Sequence, residues 1–374
     1  MPRLLMVTTI PETLRAFLLP YADFFRSRGW SVDAMSADIS SKKQLSSHFD
    51  NLIDMAWNRN PTNPANFTAA PKLRRAVVDG NYDIVHAHTP VASFVTRYAL
   101  RKLRKKGLPK VVYTAHGFHF YSGGPTFRNT LFLTLEKMAG NWTDKLVTIN
   151  AMDYYSAEKN EIVPEGDLVY MPGIGLDFAK YDRETVSADE ISQLRKYLSL
   201  KSDDVLYSMV AEFNPGKSHK DVIQALAATK DPKIHVAFAG SGALMTDIQK
   251  MATKYEVRNR THFMGFLEDT RPLLLASRAA LIPSEREGLS RTAMESACLG
   301  IPIIGSDARG VREIVEEGRG LIYPHGDPLG LRDAMLQLRD EPFGQVVPDP
   351  AWRIDNLLSL HERLYNQLLS TEKE

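Results

Sequence analysis

Short apolar runs alternate with longer amphipathic stretches along most of the chain. That rhythm is the one expected of parallel α/β architecture, where strands buried on both faces read as near-continuous hydrophobic runs. Arg3–Thr8 reads as the first strand and Trp30–Ser36 as the second. Between them a helix is expected toward Arg28, entered through Thr9 and Glu12 at capping-box spacing and interrupted at Pro20. Asp83–His86, Val111–Thr114, Lys145–Ile149 and Asp167–Met171 continue the series, with a helix over Pro90–Lys106. A second series begins near residue 204 with strands at Val205–Val210, His235–Ala239, Thr261–Phe266, Ala279–Pro283 and Pro302–Gly305. Residues 178–203 are charged and lack a strand pattern, so the domain junction is placed near residue 180. Pro348 and Pro350 then break the chain before an amphipathic stretch, Trp352–Leu369, suited to packing back on the first domain. The expected organisation is an N-terminal Rossmann-like domain over 1–180, a second over 181–350, and a C-terminal helix over 351–374.

Composition narrows the class. The 374 residues are 44% hydrophobic and 24% charged, which excludes disordered, collagen-like and disulfide-scaffold chains. The one cysteine, Cys298, has no internal partner, no apolar run reaches membrane-spanning length, and the N-terminus lacks a signal-peptide core. A soluble, cytoplasmic protein is the expectation. A net charge of +1 argues against a dedicated nucleic-acid binder. That near-neutrality is a cancellation, however. Residues 1–180 carry 22 basic and 16 acidic side chains, and the remainder carries 24 and 29. Seven of the N-terminal basics lie in one stretch: Arg97, Arg101, Lys102, Arg104, Lys105, Lys106 and Lys110. They suit either a solvated helix end or an anionic membrane surface at the inner face of the plasma membrane.

Open parallel sheets bind ligands beyond the carboxyl ends of their strands, and two such sheets face to face would place a site in the cleft between them. The loops after strands are therefore where chemistry is sought. After the strand ending at Pro283 comes Ser284-Glu285-Arg286-Glu287-Gly288-Leu289-Ser290, and a helix then carries Glu295. Free N–H groups at that helix start suit phosphate oxygens, and Glu287 and Glu295 are placed to reach hydroxyls of one ligand. Gly240-Ser241-Gly242 follows another strand, as a tight turn or a ligand-facing loop. His116 closes a strand and enters the loop 117–124, whose Phe118, Phe120 and Tyr121 suit either sugar stacking or the core. Histidine is the side chain most easily poised near neutrality. Of His86 and His88, the first reads as packing and the second as lining the site. Ligand spacings such as His-x3-His or Cys-x2-Cys are absent, as are an Asp-x-Asp pair, a phosphate-binding Gly-x4-Gly-Lys loop and a Gly-x-Ser-x-Gly elbow. No metal or other cofactor is expected.

The run from Pro283 to Leu289, Glu295 eight residues after Glu287, and the following Ala297-Cys298-Leu299-Gly300-Ile301-Pro302-Ile303-Ile304 together resemble the donor-binding signature of family-four retaining glycosyltransferases, which have the GT-B fold. The resemblance extends, in the family's order, through Asp83–His88, Thr114–Phe118 and Met171–Asp177. It implies that Glu295 binds the nucleotide ribose and that Glu287 contacts the donor sugar. Gly288, Leu289 and Ser290 would hold the diphosphate or sugar through their backbone. Lys217 matches the lysine that neutralises the diphosphate, Gly240 and Gly242 lie near the donor, and Phe266 with Leu267 matches the backbone that holds the base. His116 matches a histidine beside the reacting sugars. Thr8-Thr9-Ile10-Pro11-Glu12-Thr13 replaces the family's usual glycine pair, so acceptor contacts there would come from hydroxyls such as that of Thr9, alongside His88, Phe118 and Tyr121.

One position departs from the pattern. Glu212 stands five residues before Lys217, where the family commonly has arginine, and a carboxylate there would repel a diphosphate unless turned away or paired. The surrounding run resembles a subgroup associated with N-acetylhexosamine donors, and another cation, Lys220 or an arginine elsewhere, would have to compensate. The implied activity is transfer of a hexose or N-acetylhexosamine, with retention and without a metal, from a nucleotide-diphosphate donor, expected to be UDP-linked. The acceptor would be a lipid-linked glycan or polysaccharide in bacterial-type surface-glycan synthesis, with Glu287, His116 and Lys217 carrying the chemistry. A nucleotide-sugar epimerase on the same fold and a non-catalytic sugar-nucleotide-binding subunit are the other readings.

Overall fold

The structure, a computed structural model, describes residues 1–60, 63–107, 109–121 and 124–370, leaving aside the side chain of Phe67. Two compact units divide the chain: Met1–Gly175 together with the stretch from Ile354 onward, and Leu176–Arg353.

The first unit is built on β1 (Arg3–Val7), β2 (Ser31–Ser36), β3 (Leu52–Asp54), β4 (Ile84–His88), β5 (Lys110–Ala115), β6 (Lys145–Thr148) and β7 (Leu168–Tyr170). All pairs are parallel, in the order β3-β2-β1-β4-β5-β6-β7. The second unit repeats the plan with β8 (Val205–Val210), β9 (Ile234–Ala239), β10 (Thr261–Gly265), β11 (Ala279–Ile282), β12 (Ile303–Ser306) and β13 (Gly320–Tyr323), ordered β10-β9-β8-β11-β12-β13. Each is the Rossmann-type order, winding outward in both directions from a first strand. In each sheet the direction of winding reverses beside that strand, between β1 and β4 and between β8 and β11. The loops after those two strands part to opposite faces there and leave a crevice.

The central strands form where expected because they are fully buried apolar runs: β4 and β11 bury every residue. The two edge strands β3 and β13 were not anticipated. They are only 3 and 4 residues long and half-exposed, so they offer neither a continuous apolar run nor a long alternation. The entry to the first helix also differs from expectation. Its N-cap is Ile10, with no side-chain cap, and Thr9 does not form the capping box with Glu12. A π-helical turn over Leu14–Leu18 then leads into a separate helix, Leu19–Ser27, with Pro20 in its first turn. Proline is tolerated there because the first N–H groups of a helix have no intrahelical partner.

The C-terminal helix Ile354–Ser370 belongs to the first unit. Its Leu357, Leu358, Leu364, Tyr365 and Leu368 join Leu4, Met6, Phe25, Trp30 and Val32 in one core. Leaving out even one large buried side chain from such a cluster costs about 2–5 kcal/mol. Among the described residues no helix is long and apolar enough to cross a membrane.

Candidate active site

The crevice of the second unit brings together the loops that follow β8 and β11. Backbone contact comes first: the Glu285 N–H donates to the Gly216 carbonyl at 2.9 Å. Above it, the Lys217 ammonium pairs with Glu287 Oε1, which also accepts from the Ser284 hydroxyl at 2.6 Å. Ser284 is itself anchored, its carbonyl accepting from the Ser306 hydroxyl at 2.6 Å. The loop after β12 presses on the same stretch. The Glu287 N–H donates to the Arg309 carbonyl at 3.2 Å, and Gly310 sits at φ +75°, where an added Cβ would lie 2.2 Å from the Gly288 carbonyl oxygen. Only glycine permits that approach.

Past Leu289, which is buried, Ser290 caps the helix Arg291–Cys298, its hydroxyl accepting from the Ala293 N–H at 3.4 Å. One turn in, Glu295 is 6% exposed. Its Oε1 accepts from the Tyr181 hydroxyl at 2.5 Å and from Arg291 Nε at 2.7 Å. Burial, reinforced by the Glu295 charge, raises the Tyr181 phenol well above its ordinary value, so it stays a donor. Both expected glutamates are thus held by fixed donors, with Lys217 on the first.

Gly240 and Gly242 follow β9 against the loop after β8. A Cβ at Gly240 would lie 2.0 Å from the Ala211 carbonyl oxygen, and the Phe213 N–H donates to the Ser241 carbonyl at 2.9 Å. These glycines let the loops after β8 and β9 close up just ahead of Lys217. Phe266 is 58% exposed after β10, and Leu267 leans on the apolar layer beneath. Glu212 is exposed and accepts from the Asn214 side-chain amide at 3.2 Å.

The crevice of the first unit has a different character. After β1, the Thr9 N–H donates to the Thr89 hydroxyl at 3.0 Å, and the two hydroxyls are 2.8 Å apart. The Thr9 oxygen also accepts from the Ala92 N–H. Thr9 is 3% exposed and its hydroxyl is spent inside the protein, which corrects its expected place on the acceptor side. Phe118 is corrected likewise. It is buried and stacked on Phe120 with ring centroids 4.8 Å apart, as part of the core. Tyr121 is half-buried, its backbone N–H donating to the Asn129 side chain, while Ser122 and Gly123 of the same loop lie outside the described residues.

Behind these loops four imidazoles gather in one cluster, His86 stacked between His88 and His361 and His116 tilted against His88. His86 lies 4.1 Å from His88 and 5.8 Å from His361, and His88 lies 5.3 Å from His116. His86 bridges the Tyr365 hydroxyl at 2.5 Å and the Thr114 hydroxyl at 2.7 Å. His88 Nδ1 sits 3.1 Å from His116 Nε2, and the cavity they line, of about 20 Å³, has the volume of one water molecule. His88 is 3% exposed and supports His116 from beneath, where it had been expected to line the site itself. Burial pushes His116 down to about 4, and His361 likewise, while His86 and His88 fall well below the ordinary imidazole value. The expectation that His116 is poised near neutrality is therefore also corrected. Desolvation leaves it an uncharged hydrogen-bonding group.

Sequence reasoning missed Ser284, Arg291 and Tyr181. Arg291 stood four residues before Glu295, the spacing at which helix side chains meet, and was readable. Tyr181 had no local signal, being 114 residues from its partner. Among the described residues, no three His, Cys, Asp or Glu side chains converge as a metal-ligand set. Burial raises the Cys298 thiol to about 12, which keeps it protonated and unreactive.

Two parallel Rossmann-like sheets, each with polar loops converging where its winding reverses, define a GT-B α/β protein. Family comparison agrees. Residues 19–172 match the family described as Glycosyltransferase Family 4, and residues 190–345 match Glycosyl transferases group 1. EpsD of Bacillus subtilis (strain 168), provisionally named a glycosyltransferase, is 33% identical over 343 residues, spanning 91% of this chain and 88% of its own. The UDP-Gal:alpha-D-GlcNAc-diphosphoundecaprenol alpha-1,3-galactosyltransferase of Escherichia coli is 26% identical over 272 residues, 71% of this chain and 68% of its own. Among solved structures, HepE of Anabaena in complex with UDP superposes with a TM-score of 0.76 at 19% identity, covering 99% of this chain and 100% of its own. The chain belongs to the family-four glycosyltransferases.

Proposed function

We propose that the chain transfers a sugar, an N-acetylhexosamine or a hexose, from a UDP-linked donor to a lipid-linked glycan, with retention of anomeric configuration, in the synthesis of a cell-surface polysaccharide. The observation that carries this reading is the Lys217–Glu287 ion pair, set at the crevice of the second unit beside the Ser290-capped helix. Donor binding exchanges the partners of that pair. Lys217 turns to the diphosphate, which gains charge as the glycosidic bond breaks, and Glu287 accepts from hydroxyls of the sugar. The N–H groups of Gly288 and Leu289 add to the charge stabilisation without a metal, and that of Ser290 joins them by giving up its long 3.5 Å bond to the Gly310 carbonyl. Glu295, held from one side by Tyr181 and Arg291, presents its remaining oxygen to the ribose. Phe266 and Leu267 hold the base through their backbone, and Gly240 and Gly242 border the donor. Glu212 is turned to Asn214. Positioning and electrostatics supply the catalysis in a front-face displacement, in which the leaving diphosphate takes the acceptor proton. His116, uncharged, donates or accepts a hydrogen bond to a sugar and does not serve as general acid.

Two relatives support the choice of substrates: HepE was solved with UDP, and the E. coli enzyme's name specifies a UDP-sugar and a diphosphoundecaprenol-linked acceptor. The test incubates the protein with a panel of UDP-sugars and a prenyl-diphosphate-linked sugar, in the presence of EDTA, and reads the product's anomeric proton coupling. UDP release with an α-linked product from an α-linked donor is expected. An inverted linkage, sugar isomerisation without an acceptor, or strict metal dependence would overturn the mechanism.

A further inference from the structure

The basic stretch of the first unit is not one surface. Arg97 is fully buried, its guanidinium bonded to Glu136 at 2.8 Å and lying 4.2 Å over the Tyr113 ring. Arg104 is tied to Asp144 at 2.8 Å. Both had been read as part of either a solvated helix end or a membrane-facing patch, and both instead fasten the helix Pro90–Arg104 to its neighbours. Arg97 in particular pins it to the helix Thr126–Gly140.

That second helix has two unlike faces. Asn129, Phe132, Leu133 and Glu136 point inward: to the loop 121–124, to an apolar cluster, and to Arg97. On the opposite side Phe127, Leu131, Thr134 and Met138 follow each other at helical spacing in a single stripe. Phe127 is 83% exposed, Leu131 46% and Met138 41%. The hydroxyl of Thr134 donates to the Thr130 carbonyl at 2.8 Å and that of Thr130 to the Thr126 carbonyl at 2.9 Å, so both threonines meet their polar needs within the helix. Exposed Arg128 and Lys137 flank the stripe. On the neighbouring helix Pro90–Arg104, Tyr98 is 42% exposed, 5.6 Å from the Trp142 ring that follows the second helix, with the Arg101 guanidinium 3.7 Å above it, and exposed Lys102, Lys105 and Lys106 follow. Residues 90–106 contain no acid and residues 126–140 contain only Glu136, which faces inward.

We infer that this face docks on an anionic lipid bilayer, with the Phe127–Leu131–Met138 stripe set among the acyl chains at the headgroup boundary and the surrounding cations on lipid phosphates. The charge pattern selects this occupant. An apolar line edged by cations, with no outward carboxylate and its hydroxyls already satisfied, matches a negatively charged interface. At 15 residues the helix is too short to span and must lie flat. Arg97 contributes by holding the helix in place and not by touching lipid. The inference rests on the lipid-linked acceptor for its purpose, but its test does not.

The full-length protein is floated with vesicles of phosphatidylcholine alone or mixed with phosphatidylglycerol. Flotation only with the mixed vesicles is expected. Phe127→Ser with Leu131→Ser, which leaves every cation in place, should lower the bound fraction roughly tenfold, as should Lys102→Glu with Lys105→Glu and Lys106→Glu. Both changes lie on exposed side chains, so an unchanged thermal transition confirms that the fold is intact. Wild-type protein that stays with the soluble fraction overturns the inference, as does a serine variant that floats normally. A serine variant that instead turns a dimer into a monomer also overturns it, and assigns the stripe to a second copy of the chain. Transfer to a short water-soluble acceptor is measured in parallel. If that transfer fails in the wild type, the proposed function falls while the flotation result stands.

Discussion

The two crevices share a strand order and differ in what closes them. In the first unit the loops after β1 and β4 meet through the Thr9 and Thr89 hydroxyls over a stack of uncharged imidazoles. In the second, the loops after β8 and β11 meet through a lysine–glutamate ion pair beside a capped helix. The topology fixes where a ligand site can be, and the charge of the groups placed there fixes what it can take. Bulk charge says the reverse: the more basic half of the chain has the uncharged crevice, and the more acidic half holds the ammonium suited to an anion.

The sharpest way to break this contrast is to remove the cation. Lys217→Ala should lower kcat/KM on a UDP-sugar donor by roughly a hundred- to a thousandfold, the usual loss when a preorganised charge stabiliser is deleted. A loss below threefold would leave the ion pair merely structural. Glu295→Ala should weaken donor binding by roughly ten- to a hundredfold in calorimetry, since it deletes a charge-assisted hydrogen bond in a desolvated place. An unchanged affinity would remove Glu295 from the donor site.

The uncharged crevice is tested by acid. His361 has its folded value lowered to about 4 by burial. The unfolded chain therefore binds the extra proton between about pH 6.5 and pH 4, and the stability this group contributes, fully present above pH 6.5, is lost as the pH falls. Urea unfolding across this window should show the loss. His361→Gln should flatten its slope by about 1.4 kcal/mol per pH unit. An equal slope in the two proteins would mean that the imidazole titrates normally. His219 and His262 in the second unit are lowered in the same direction, so the difference between variant and parent is the informative quantity. The smallest effect is expected from Tyr181→Phe. If the phenol only orients Glu295, donor KM should rise roughly three- to tenfold with kcat unchanged. A fall in kcat alone would place Tyr181 in the chemical step.

How much of this was legible beforehand varied with how local each signal was. The central strands were legible because a buried strand must be a run of apolar residues, while β3 and β13, short and half-exposed, left no such mark. Glu287, Glu295 and Lys217 were legible because the runs that carry them resemble the family's donor signature; spacing alone would not have separated Lys217 from an ordinary surface lysine. Arg97 was misread because its partner Glu136 lies 39 residues away, and no local pattern separates a buried, paired arginine from a solvated one. The same limit applied to Thr9 and Phe118, whose roles are set by Thr89 and Phe120 packing in three dimensions.

The return of the Ile354–Ser370 helix to the first unit has a consequence for the order in which the molecule is made. A chain leaving the ribosome releases residues 1–175 first, yet the core of that unit lacks Leu357, Leu364 and Tyr365, and His86 has only the Thr114 hydroxyl of its two partners, until the helix Ile354–Ser370 emerges. The stretch Leu176–Arg353 is contiguous and needs nothing that comes later. The half synthesised second is therefore the half able to finish folding first, while the half synthesised first waits, with apolar surface open, for the helix Ile354–Ser370. Any truncation that removes the final helix leaves the first unit without its closing layer, however complete its own strands.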